Sequence, residues 1–208
     1  MEPAYSEKQI HLMETAEKLF AVKGYSATSI REIAKSSGMN SAMISYYFGS
    51  KEQLAEAVLI FRIARLDNLL NQSLFKAKTP VQKLHLLVSF YIEKAFKQKY
   101  FYMLIMQLQV LNTETRLLNL LNSLRQANFE LINDILIEGA ENGMFKKNVD
   151  AALLIGTLVG TVNQIVLSQN YYREVNELES LSDIELTELL KAKVGVLLTD
   201  FLKVYTGA

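Results

Sequence analysis

Two adjacent tyrosines and a lysine, Tyr46, Tyr47 and Lys51, follow a run of small side chains, Ser41, Ala42, Met43 and Ser45, in the stretch TSIREIAKSSGMNSAMISYYFGSK from Thr28 to Lys51. Phenol hydroxyls and an ammonium are donors suited to phosphate oxygens. Slim polar and apolar groups at the start of a helix suit the edges of bases in a major groove. Such a set recognises a duplex; it does not make or break bonds.

Two short helices pivoting on Gly38 would position these groups. Ser29 with Glu32 three residues on forms a capping box, so the first helix should open there. Ile30, Ile33 and Ala34 share one face at helical spacing and can pack inward. Glycine accepts the left-handed conformation that ends helices, which suits Gly38 to the turn. Asn40 is a good N-cap for the second helix. Met39, Ile44 and Phe48 are its expected anchors, leaving Ser41, Ala42, Met43 and Ser45 facing outward. An ordinary helical hairpin with a glycine turn is the plain alternative.

Thr-x-Ile-Arg-Glu-Ile-Ala-x-x-x-Gly, followed by Tyr-Tyr-Phe-x-Ser-Lys-Glu-x-Leu, resembles the DNA-binding domain of the TetR family of bacterial regulators over roughly residues 6 to 60. The resemblance implies that the second helix enters the major groove. It implies phosphate contacts from Tyr46, Tyr47 and Lys51. Arg31, Ser41, Ala42, Met43 and Ser45 match positions that reach or approach base edges, and Thr28, Ser29 and Asn40 complete the candidate DNA-binding set. This chain departs from the family at Asn40, where many members carry serine or threonine, at Ala42, where many carry glycine, and at Ser45, where many carry tyrosine. The implied fold class is all-α, with a helix-turn-helix domain over residues 1–50 and a ligand-binding and dimerisation bundle over residues 51–208. The implied function is transcriptional repression.

The chain has 208 residues, half of them apolar, with only two prolines, nine glycines and no cysteine. That allows a sizeable core and favours long helices. It leaves no disulfide or thiolate site and suits a reducing cytoplasm. The N-terminus shows no basic region running into an apolar one, so no secretory signal is expected. The apolar stretches Tyr100–Leu111 and Ala151–Leu167 are too short to span a bilayer and contain glutamine or asparagine. Net charge is zero, which argues against strong non-specific binding to nucleic acid. Between Thr28 and Lys51, Arg31, Lys35 and Lys51 stand against Glu32.

Start signals recur along the chain. Ser6 with Gln9 opens a helix carrying Leu12, Ala16, Leu19 and Phe20, and Gly24 ends it. Ser50 with Gln53 opens a long helix expected to end near Phe75. Thr79-Pro80 with Gln82 opens the next, with the proline well placed at its first position. Further helices are expected over Tyr100–Leu111, about Glu114–Glu141, and about Asp150–Gln169. The last starts at Ser182 with Glu185 and carries Leu186, Leu190, Val194, Leu197, Phe201 and Tyr205 on one stripe. About nine helices result, with no strand and no internal repeat. The stretch Glu138–Phe145 and the apolar helix after it loosely resemble the C-terminal half of the TetR family.

A helix-turn-helix reader usually pairs, so that two reading helices meet major-groove faces ~34 Å apart and a twofold dimer imposes an inverted repeat. The family implies a four-helix dimer interface built from the last two long helices. Gly156 and Gly160 would allow close approach there, with Leu190, Val194, Leu197, Phe201 and Tyr205 on the neighbouring stripe. The alternative is that these residues face the chain's own core. The family also implies a ligand pocket in the C-terminal bundle. Candidates are Phe61, Tyr91, Tyr102, Met103, Met106, Gln107, Phe129 and Asn163, a set suited to a small apolar or amphipathic molecule. Each could equally be core, although Gln107 and Asn163 interrupt apolar helices and need partners if buried.

Catalysis is disfavoured. His11 and His85 are far apart in sequence, no cluster has metal-ligand spacing, and no nucleophile or phosphate-loop motif is present. Glu174, Glu177 and Glu179 read as a solvated loop. No cofactor or metal is implied. A helical adaptor that keeps this fold without binding DNA is the remaining alternative, and the neutral charge favours it.

Overall fold

The start signals are met by side chains at helix ends. In a computed structural model that describes residues 5–70, 78–110 and 116–207, with 64–70 described by backbone alone, every described element is a helix. Ten are present among the described residues: α1 (Glu7–Lys23), α2 (Ile30–Ser37), α3 (Ser41–Phe48), α4 (Lys51–Leu70), α5 (Pro80–Lys97), α6 (Lys99–Val110), α7 (Arg116–Glu141), α8 (Ala151–Leu167), α9 (Gln169–Val175) and α10 (Asp183–Thr206). Reciprocal capping boxes close Ser6 with Gln9, Ser29 with Glu32, Thr79 with Gln82 and Ser182 with Glu185. Asn40 and Asp150 each accept one backbone N–H at the starts of α3 and α8. The expected end of α4 near Phe75, the start of α7 near Glu114 and the end of α6 at Leu111 lie outside the described residues.

The chain forms two compact units, one from residues 1–76 and 100–124, the other from 77–99 and 125–208. In the first, α1 packs on α2 and α4, and α3 packs on both α2 and α4. Its core joins Leu12, Ala16 and Phe20 of α1, Ile33 of α2, Ile44 of α3, and Leu54 and Val58 of α4 to Phe101, Leu104 and Leu108 of α6 and Leu117 of α7. In the second unit α5, α8 and α10 pack against one another. There Gly139, inside α7, leaves room for the ring of Phe145. A Cβ at that position would lie 1.9 Å from Phe145 Cδ2.

Two expectations are corrected here. The single helix expected over Asp150–Gln169 ends at Leu167, and α9 follows at a bend of 74°. The Ser168 hydroxyl donates to the Gln164 carbonyl at 2.6 Å, the kind of back-bonding that competes with the helical ladder. In α10 the inward face is Leu186, Leu190, Val194, Leu198, Leu202 and Thr206, a run in steps of four. Leu197, Phe201 and Tyr205 of the expected stripe lie off that run, and Leu197 is 57% exposed. No single helix among the described residues is long and apolar enough to cross a membrane; the bent pair α8–α9 passes on length and composition alone.

Candidate nucleic-acid interface

The turn between α2 and α3 is made by Gly38 at φ 69° and ψ 19°, the left-handed region. Its N–H donates back to the Ala34 and Lys35 carbonyls, closing α2. Asn40 follows in extended conformation, and its Oδ1 accepts from the Met43 N–H at 2.9 Å. Ile44 and Phe48 bury the inner face of α3, as their spacing predicts, and Met39 packs beside them. His11 Nε2 lies 3.2 Å from the Ser37 carbonyl, and Lys23 pairs with Glu32 at 2.6 Å. These contacts fasten α2 to α1.

The fastened α3 turns Ser41, Ala42, Ser45 and Tyr46 to solvent and leaves Met43 and Tyr47 partly buried. Arg31 is exposed on α2. Lys35 and Ser36 are exposed there as well. Lys35 stands four residues after Arg31, so a helix places the two cations on one outer face; that spacing was the available signal for Lys35 as a site residue. Ser29 is exposed, but its hydroxyl is engaged with Glu32.

Two members of the expected DNA-binding set sit differently. Thr28 is 1% exposed, and its hydroxyl donates to the Gly24 carbonyl at 2.9 Å. It fixes the loop after α1 and does not belong to the exposed face. Lys51 bends its ammonium under the same loop, within hydrogen-bond distance of the Tyr25, Ser26 and Thr28 carbonyls.

The expected ligand residues divide between the two units. Phe61, Tyr102, Met103, Met106 and Gln107 belong to the first unit; Tyr91, Phe129 and Asn163 belong to the second. Gln107 Nε2 donates to the Ala21 carbonyl at 2.6 Å, in the last turn of α1, where carbonyls lack helical partners. Tyr102 packs edge-on against Phe101, and burial raises its phenol. In the second unit the Tyr91 hydroxyl donates to Asn163 Oδ1 at 2.9 Å, which gives the buried amide the partner it needs. An open groove of about 580 Å³ between α5 and α10 is lined by Val88, Ser89, Lys191, Gly195, Thr199 and Asp200, among others, and by none of the expected ligand residues.

Of the expected dimer residues, Gly156 and Gly160 are exposed, and a Cβ at either would meet no atom within 4 Å. Leu197 is exposed, and Phe201 and Tyr205 are partly buried and stacked at 5.2 Å. Leu190 and Val194 are buried in the core of their own unit and are not available to a partner.

Sequence reasoning missed the polar braces of the first unit. Arg62 Nε donates to Glu17 Oε2 at 2.6 Å, tying α4 to α1. Burial pushes the Glu17 carboxyl up, and the Arg62 hydrogen bond and charge oppose that. Arg116 Nε meets Glu56 Oε1 at 2.8 Å. Glu56 inside the apolar run Leu54–Leu59 was the legible hint, since a carboxylate so placed needs a cation.

The family description "bacterial regulatory proteins, tetR family" matches residues 12–58, and the description "YsiA-like protein, C-terminal region" matches residues 62–192. The chain is 22% identical over 176 residues to the fatty acid metabolism regulator protein of Bacillus subtilis, covering 85% of this chain and 90% of that one. It is 28% identical over 150 residues to the HTH-type transcriptional repressor KstR2 of Mycolicibacterium smegmatis, covering 72% and 73%. The crystal structure of the transcriptional regulator FadR of Bacillus subtilis in complex with stearoyl-CoA superposes with a TM-score of 0.64 at 21% identity, over 91% of this chain and 97% of that one.

Proposed function

Because this chain belongs to the TetR family of bacterial regulatory proteins, and is a regulator of transcription and not an enzyme, we propose that it is a dimeric repressor. It reads an inverted-repeat operator with α3 and releases it when a small ligand binds the C-terminal bundle. The observation that carries this reading is the exposed row Ser41, Ala42, Ser45 and Tyr46 on a helix held by buried Ile44 and Phe48. Arg31, Ser41, Ala42, Met43 and Ser45 take the base edges. Tyr46 and Tyr47 take flanking phosphates, helped by backbone N–H groups at the starts of α2 and α3, where Ser29 and Asn40 sit. The reading domain is residues 1–50 and the ligand and dimer domain is 51–208, working in the cytoplasm, where the operator is.

The dimer forms through α8 and α10. Exposed Gly156, Gly160 and Leu197 support this, with Phe201 and Tyr205 at the edge. The ligand is amphipathic, with a long apolar chain. The stearoyl-CoA bound by the structural relative supports that class, as do the apolar and thioether side chains of Phe61, Met103 and Met106 in the first unit. A preference of about 3 kcal/mol for the non-binding conformer suffices for release.

Selection of bound duplexes from a random DNA pool by the purified chain tests the reading. An inverted repeat is expected to be enriched, and long-chain acyl-CoA is expected to reduce occupancy of it. Failure of folded, dimeric protein to enrich any sequence would overturn repression by operator binding and favour the adaptor alternative.

A further inference from the structure

Gln107, in the last turn of α6, meets the end of α1, and both helices belong to the first unit. Its Nε2 donates to the Ala21 carbonyl at 2.6 Å. A carbonyl only accepts, so the nitrogen of the amide must face it. Ala21 is buried, and carbonyls in a last helical turn lack helical partners, so little water competes for this acceptor. The other atom of the amide, Oε1, is buried and meets no donor among the described residues. A stranded acceptor offsets part of what the donated bond gains, which leaves the link weak enough to open. The start of α6 is tied to α1 as well. The Phe101 N–H, in the first turn of α6, donates to the Glu17 carboxylate, and Lys18 Nζ stands 5.9 Å from the centroid of the Tyr100 ring. In turn α1 holds α2, through the Lys23–Glu32 pair and the contact of His11 with the Ser37 carbonyl. Polar contacts thus run from α6 through α1 to α2.

We propose that Gln107 is a positioning residue: its amide latches the end of α1 to α6, so that α2 and the reading helix after it follow α6. This rests on the DNA-reading function proposed above. The latch needs a donor at the tip of the side chain. Methionine has nearly the length and volume of glutamine and no donor. Lysine keeps a donor, and its charge suits the C-terminal end of a helix.

The test compares Gln107→Met and Gln107→Lys with the unaltered chain. The sequence has no cysteine, so Lys35→Cys on α2 and Val110→Cys on α6, both at exposed positions, take spin labels at those two sites alone. The distance distribution within one protomer is measured without DNA, in labelled chain diluted with unlabelled. Affinity for a duplex of random sequence and the thermal midpoint are measured on chains without the cysteines. Gln107→Met is expected to broaden the distribution and to bind DNA about tenfold more weakly, with the midpoint nearly unchanged. Gln107→Lys is expected to match the unaltered chain in distance and affinity. A Gln107→Met distribution as narrow as that of the unaltered chain, or a changed distribution with affinity intact, overturns the proposal. So does a Gln107→Lys protein as altered as Gln107→Met, since packing and not the donated bond would then set the position. If the unaltered chain does not bind DNA, the repressor reading falls, while the distances still judge the latch.

Discussion

Tyr46 and Tyr47 lie side by side with ring centroids 5.4 Å apart, yet their surroundings differ. Tyr46 is 85% exposed at the outer end of α3, whereas Tyr47 is partly buried against Phe48. As phosphate donors, both act through the hydroxyl and carry no base identity. Tyr46→Phe and Tyr47→Phe should each weaken binding a few-fold, by nearly the same factor on the selected operator and on random duplex. Parallel titrations of the two duplexes would check this, and a loss confined to the operator would remove the tyrosines from the phosphate role. The slim side chains behave oppositely. Ala42 can offer a methyl to thymine and nothing to a phosphate, so its replacement should change preference more than grip. With Lys23 paired to Glu32, Arg31 and Lys35 are the cations left on the outer face of α2. That fits a chain of zero net charge and a modest salt dependence.

At the scale of the element, Glu32 joins two functions. It completes the capping box of α2, and it pairs with Lys23 of α1. The Lys23 hydrogen bond first, then the Ser29 backbone and hydroxyl, hold its carboxyl well down, from 4.5 to about 2. A lowered folded value means that the stabilisation is present above 4.5 and is lost as pH falls from there towards about 2. Glu32→Gln should therefore flatten the acid limb of a thermal-midpoint profile across that window. An identical acid limb in the variant would show that Glu32 contributes nothing to it. Ser6, Ser29, Asn40, Thr79, Asp150 and Ser182 were all legible as helix starts, because a cap and its partner lie within three residues of each other. The inward face of α10 was misread at one step, since Leu197 and Leu198 are both apolar and only packing decides between them. The ammonium of Lys51 and the amide of Gln107 bind carbonyls that are distant in sequence, and no local pattern encodes those pairings. The exposed row of α3 was legible because its inner anchors, Ile44 and Phe48, fix which side faces out.

For the whole molecule, pairing through α8 and α10 predicts a sharp contrast between two neighbouring leucines. Leu197 is 57% exposed and Leu198 is 2% exposed. Leu197→Glu should leave helix content and the thermal transition of the protomer nearly intact while shifting sedimentation from dimer to monomer. Leu198→Glu should unfold the chain, because an unpaired carboxylate in the core has no partner. A Leu197→Glu protein that remains dimeric would move the interface away from the outer face of α10. The monomer should also lose the inverted repeat, since one reading helix meets only one half-site.

Whether α3 reads base edges from a fixed seat is decided by parallel selections from one random DNA pool with the unaltered chain and with Ala42→Asn. The unaltered chain should enrich an inverted repeat. Ala42→Asn should enrich the same repeat with one position changed in each half, towards adenine, which asparagine can bond through N6 and N7. An identical repeat from both proteins would exclude Ala42 from the reading face, and no enrichment from folded dimers of either would show that α3 does not read base edges.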